Sequence, residues 1–197
     1  MADSFFLVIA VTTFALGIVL FLVSISSTSW QGLDGGVTIS LWKVCYRLHV
    51  DKSWMCNSWH EIPDFVRSAQ AFCIISLLCC IVCSIILIAA FVLRCLHRSK
   101  LALIVLSLLT FTSACMIAMA VIVMGMKGRD YLLEMKQDDE KKFKFFLKGI
   151  IISGYYEIGW ALILAIVASL INYISFGFFL LEYKDMTDMR EPRPTKV

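Results

Sequence analysis

The sequence predicts an all-α membrane fold: a bundle of four transmembrane helices carrying a small disulfide-pinned extracellular β-sheet in its first loop. Three observations carry this. The 197 residues are 60% hydrophobic and 17% charged, against about 45–50% and about 25% in soluble domains. The apolar residues fall in four long blocks, each long enough for the roughly 20 residues that cross a bilayer. Two cysteines, Cys45 and Cys56, stand apart from those blocks in one short loop. The composition excludes an ordinary soluble enzyme and a disordered chain. A net charge of +3 with no stripe of Lys or Arg gives no reason to expect nucleic acid.

The blocks place spans at about 5–26, 69–93, 101–126 and 155–181 within a single domain, 1–197. Helices are expected because a lipid-exposed backbone must satisfy its polar groups internally. No period-two alternation supports a barrel. The head, Met1 to Ser4, has an acid and no Lys or Arg. The apolar run after it exceeds a signal-peptide core of about 7–15 residues, so the first block reads as a retained helix. Outer loops at 27–68 and 127–154, an inner loop at 94–100 and a tail at 182–197 follow.

Four spans put both ends on one side. Lys and Arg counts oppose a cytosolic assignment: loop 94–100 and the tail carry seven, the other loops eleven. The positive-inside rule alone would place the ends outside. Against it, Arg94, Arg98 and Lys100 lie flush against two spans. A Cys45–Cys56 disulfide also requires an oxidising compartment. The reading adopted is a multi-pass plasma-membrane protein with both termini cytosolic. Free thiols are the alternative for the cysteine pair.

The first loop is the richest segment. Gly35 and Gly36 signal a turn. Residues 37–46 are β-branched and aromatic and read as one strand, with Met55, Cys56 and Asn57 on a return strand. So small a sheet has little core, which is where a disulfide is useful. Pro63 suits a helix start. The chain has no Asn-x-Ser/Thr glycosylation acceptor.

Trp30 closes the first span; Leu41 and Trp42 follow, then Cys45, Cys56, and Arg67 before the second span. This pattern resembles the Trp…Gly-Leu-Trp…Cys…Cys signature of the claudin superfamily, with Ser40 at the signature glycine. Ser68 to Phe72 and Gly154 to Ala161 resemble the helix entries of its peripheral myelin and epithelial membrane protein branch, as does the short Trp30–Trp42 spacing. Glu157 is a departure, standing where an apolar residue is expected. The resemblance covers all four spans. It implies a non-enzymatic tetraspan of cell–cell contact or membrane organisation. An auxiliary regulatory subunit of a channel or receptor is the alternative, and a paracellular pore former a third.

Several residues have a function to weigh against a plain packing role. Cys79, Cys80 and Cys83 mimic a metal pattern, but no His or carboxylate joins them, so no metal or cofactor is expected. Cys95, at the inner membrane edge, suits reversible palmitoylation. Thr195 and Val197 fit a ligand for a cytosolic PDZ protein. Thr110, Ala114 and Ala118, with Ala161 and Ala165, form small-residue stripes expected to pack within the bundle. The run at 138–142 reads as a solvated helix extension held by opposite charges. Glu157, the one ionisable residue within the spans as drawn, is expected at the outer interface beside Tyr155, Tyr156 and Trp160 rather than in a proton relay. Trp54, Trp59, Tyr46 and Phe65 put aromatic weight on the outer loop, for contacts with further copies of the chain or with another membrane protein; the alternative is that these rings fill the sheet's own core or rest on the lipid headgroups.

Overall fold

The computed structural model describes residues 5–33, 36–47, 53–92, 100–138 and 155–188. Its long helices are α1 (Phe5–Ser26), α2 (Asp64–Val92), α3 (Lys100–Val123) and α5 (Trp160–Asp188). A π-helical turn, Met124–Gly128, joins α3 to a short α4 (Arg129–Asp138). The exposed faces are as apolar as the buried ones: Val8, Leu16 and Val19 on α1, Leu78, Ile85 and Ile88 on α2, Leu170 and Ile174 on α5. A helix apolar all round belongs in lipid or in a large core. A core is excluded because these faces stand open, so the four helices cross a membrane.

Helix α5 packs on both α1 and α3, and α2 on α3. Small residues bring the backbones together, as the stripes predict. Ala114, Ala161, Ala165 and Ala168 are fully buried, and Ser169 Oγ donates to the Ala114 carbonyl at 3.0 Å. Ser24 Oγ donates to the Ala161 carbonyl at 2.7 Å, and Ser175 Oγ to that of Ala10 at 2.8 Å.

Three helices have limits that differ from the spans drawn on the sequence. Helix α2 begins at Asp64, ahead of the apolar span drawn from 69 and where Pro63 suits a helix start, with Asp64 favouring its first turn. The third span does not stop at 126: the helix continues through the π turn to Asp138, since polar helix formers end a membrane crossing without ending a helix. The last helix starts at Trp160, not 155, and continues past 181 to Asp188. Residues ahead of it are strand β5 (Tyr156–Ile158).

That strand joins β1 (Gln31–Leu33), β2 (Val37–Ile39), β3 (Lys43–Arg47) and β4 (Trp54–Ser58) in one antiparallel sheet, ordered β4-β3-β2-β1-β5. The expected single strand over 37–46 is a hairpin, with Val37 opposite Tyr46. Ser40 makes the turn. Its Oγ accepts from the N–H groups of Trp42 and Lys43 at 3.4 and 3.1 Å, and its own N–H bonds the Lys43 carbonyl at 3.0 Å. A serine side chain offering local bonds to the backbone outcompetes an extended ladder. Cys45 and Cys56 lie directly opposite on β3 and β4 and are disulfide-bonded.

Candidate functional site

The junction where the sheet sits on the bundle gathers most of the signature residues. Trp30 is fully buried beneath the sheet, and its indole N–H donates to the Ser24 carbonyl at 2.9 Å. That bond adds a second donor to a carbonyl at the end of α1, which also accepts from the Ser27 N–H at 3.2 Å. Leu41 is equally buried and shares a core with Trp30, Phe21, Val66, Ala69 and Ile117. Thus the hairpin turn plugs into the bundle by its apolar tip. Three bonds fix it there: Gln70 Nε2 to the Leu41 carbonyl at 2.6 Å, Trp59 Nε1 to the Ser40 carbonyl at 3.2 Å, and Trp42 Nε1 to the Ile25 carbonyl at 2.8 Å. Trp42 itself is 41% exposed, an indole at the rim with its N–H spent on the end of α1. Arg67 does not join this group; it is exposed and pairs with Asp64 at 3.9 Å.

A second anchor ties the sheet to α3. The π turn alters the helix ladder, and Gln31 Nε2 donates to the Met124 carbonyl at 2.7 Å. Gln31 is fully buried, and its Oε1 has no hydrogen-bond partner among the described residues. Leu33, Val37 and Ile39 cover Leu132 of α4. The Arg129 guanidinium lies 5.9 Å above the Tyr156 ring. Burial pushes the Tyr156 phenol above its usual value, with Arg129 and Gln31 pulling the other way. The third anchor is Gly159. Its N–H bonds the Trp30 carbonyl at 2.9 Å, and a Cβ there would collide with the Ser29 carbonyl. Glycine alone permits that approach.

The aromatic residues split. Trp59 and Phe65 pack on Tyr131, with centroids 6.4 and 5.5 Å away, and Tyr46 packs into the sheet's own core. These three fill space rather than await a partner. Trp54 is 49% exposed. Strand β4 is exposed at all five residues and is an edge of the sheet, with no strand on its outer side among the described residues.

Glu157 is exposed on β5, opposite Gly32, outside every helix. The buried acid among the described residues is Glu182 of α5, which the drawn tail boundary hid. It is 3% exposed, and its Oε2 has no hydrogen-bond partner among the described residues. Gln31, Gln70 and Asn172 were also missed. A polar residue beside an apolar block gives no sign of which backbone group it will meet. Cys80 Sγ lies 3.2 Å from Ser113 Oγ, and Cys83 Sγ donates to the Leu106 carbonyl at 3.9 Å, as small buried packers. Among the described residues no His, Cys, Asp and Glu cluster is placed to hold a metal. Cys95, Thr195, Val197 and residues 139–142 lie outside the described residues.

Residues 3–180 match the sequence model of the PMP-22/EMP/MP20/Claudin family. No curated protein matches the chain.

Proposed function

The chain belongs to the PMP-22/EMP/MP20/Claudin family, and from that premise we propose that it is a non-enzymatic organiser of membrane at cell–cell contacts. The observation that carries this reading is the edge of β4, open among the described residues. An edge strand presents unpaired N–H and C=O groups to any other strand. Here Trp54 and Met55 accompany it, 49% and 46% exposed. Proteins that remain monomeric blunt such an edge with charge, proline or a cover. Residues 54–58, Trp-Met-Cys-Asn-Ser, carry neither charge nor proline. In this reading the edge meets the same edge on another copy.

The reading includes an orientation: sheet outside the plasma membrane, both ends in the cytosol. The Cys45–Cys56 disulfide supports it, because such a bond persists in an oxidising compartment. It outweighs the Lys and Arg count because seven of the eleven opposing charges lie in 127–148, beside acids in a partly helical segment. On the cytosolic side, Cys95 is a proposed palmitoylation site, and Thr195 with Val197 a proposed PDZ ligand.

The test is expression of the full chain in cells lacking any relative, with self-association read by crosslinking and by enrichment at contacts. Met55→Lys places a charge on the edge and is expected to abolish both while leaving the disulfide and surface delivery intact. Self-association that survives Met55→Lys overturns the edge. Its absence in the unaltered chain, with stoichiometric recovery of one channel or receptor from native membrane, assigns the auxiliary-subunit role instead.

A further inference from the structure

A cleft of about 290 Å³ opens where the outer face of the sheet meets the first turn of α5, lined by Gly32, Thr38, Trp54, Glu157, Gly159 and Trp160 among others. Its shape follows from the register. Glu157, Gly32 and Thr38 stand side by side in one row across β5, β1 and β2. Side chains directly opposite one another project from the same face, and Gly32 contributes none, so the carboxylate borders a bare strand. A Cβ at Gly32 would sit 2.8 Å from the Val37 carbonyl oxygen and 3.0 Å from Thr38 Cγ2. The notch is therefore obligatory. Trp54 stands on the same face of β4 as Cys56, which continues this row beyond Cys45. Trp160 closes the opposite side and is 53% exposed. Glu157 makes no hydrogen bond or ion pair among the described residues.

We propose that this cleft binds the trimethylammonium group of a phosphocholine lipid in the leaflet on the sheet side. Three features point to that headgroup. The cleft lies at headgroup depth, since α1 ends at Ser26 and α5 begins at Trp160, and both Ser29 and Trp160 line it. A carboxylate with no partner among the described residues, sharing a cleft with two indoles, suits a cation, and a quaternary ammonium is recognised by charge and aromatic surface rather than by N–H donation. A lipid with an anionic headgroup would meet Glu157 as a like charge. Trp54 belongs both to this cleft and to the β4 edge of the contact reading, so the two are told apart at Glu157, which lies on the opposite edge strand, and at Met55, which does not line the cleft.

The test uses the full chain in maltoside micelles with equimolar phosphatidylcholine, phosphatidylethanolamine and phosphatidylglycerol of matched acyl chains. Bound lipid is counted by native mass spectrometry. The choline lipid is expected to be retained at least about fivefold over either competitor, the scale of one partly desolvated cation–aromatic contact. Glu157→Gln and Trp54→Ala should each remove most of that preference, and Trp54→Phe should keep most of it. An intact Cys45–Cys56 bond in every variant certifies the sheet. Equal retention of the three lipids overturns the proposal, as does a preference untouched by both Glu157→Gln and Trp54→Ala. A preference for the ethanolamine lipid also overturns it and reassigns the cleft to a hydrogen-bonding ammonium, such as a lysine of a second copy.

Discussion

The half of the bundle under the sheet and the half around Phe14 and Phe179 use the same four helices but are held differently. Under the sheet, the core takes Trp30 and Leu41 from outside the helices, and indole and amide N–H groups reach backbone carbonyls of α1, α3 and the hairpin. The other half is helix against helix: Ala10, Phe14, Cys80, Cys83, Leu103, Leu106 and Phe179, with Ser175 bonded to Ala10. Lipid tails are as apolar as these side chains, so helix association there depends on close packing and modest hydrogen bonds. The sheet-side half adds a water-facing domain with its own core and covalent tie. Apolar length makes the bundle, whereas the junction fixes how the sheet is seated.

The sharpest way to break that contrast is Trp30→Ala. Emptying a buried tryptophan site is expected to cost about 3–5 kcal/mol and to leave the Ser24 carbonyl with the Ser27 N–H alone. Limited proteolysis should then open the sheet side first, with the far helices still protected. Cys45→Ser comes next, at about 2–5 kcal/mol for so small a domain; reduced surface delivery together with an intact helical circular-dichroism signal would confine the damage to the sheet. Ser175→Ala probes the helix-only region through its bond to Ala10 and should cost about 0.6 kcal/mol, the scale measured for such bonds between membrane helices, in a reversible unfolding assay. A loss comparable to Trp30→Ala would erase the distinction between the halves.

The smallest effect concerns pH. Burial raises the Tyr156 phenol above its usual 10.0. Its contribution to the sheet–bundle junction is therefore complete below about pH 10 and lost as pH rises from there through the raised folded value. Spectroscopic titration should show late-ionising phenols, Tyr131 among them, that fall by one in Tyr156→Phe, and the variant's junction should lose less stability over that range.

The residues that were legible in the sequence share a physical reason. Four blocks near 20 apolar residues leave a backbone few choices in lipid, so the spans needed no tertiary information. Cys45 and Cys56 were legible because they stood outside those blocks in one loop. The hairpin at Ser40 was not, since β propensity over 37–46 reads the same for one strand or two. Strand β5 hid inside an apolar block because its partner, β1, lies over a hundred residues earlier, and pairing at that distance has no local signature.

By itself the sequence determined that this chain crosses a membrane four times and bears a cysteine-tied loop, because transfer into lipid is a sum over local composition. Tertiary structure alone decided that Glu157 leaves the last helix for the sheet edge, that Glu182 is buried in its place, and that Trp54 rather than Trp59 faces outward. Each of these depends on which backbone groups meet across the chain, and that is settled by pairing and packing after the helices have formed.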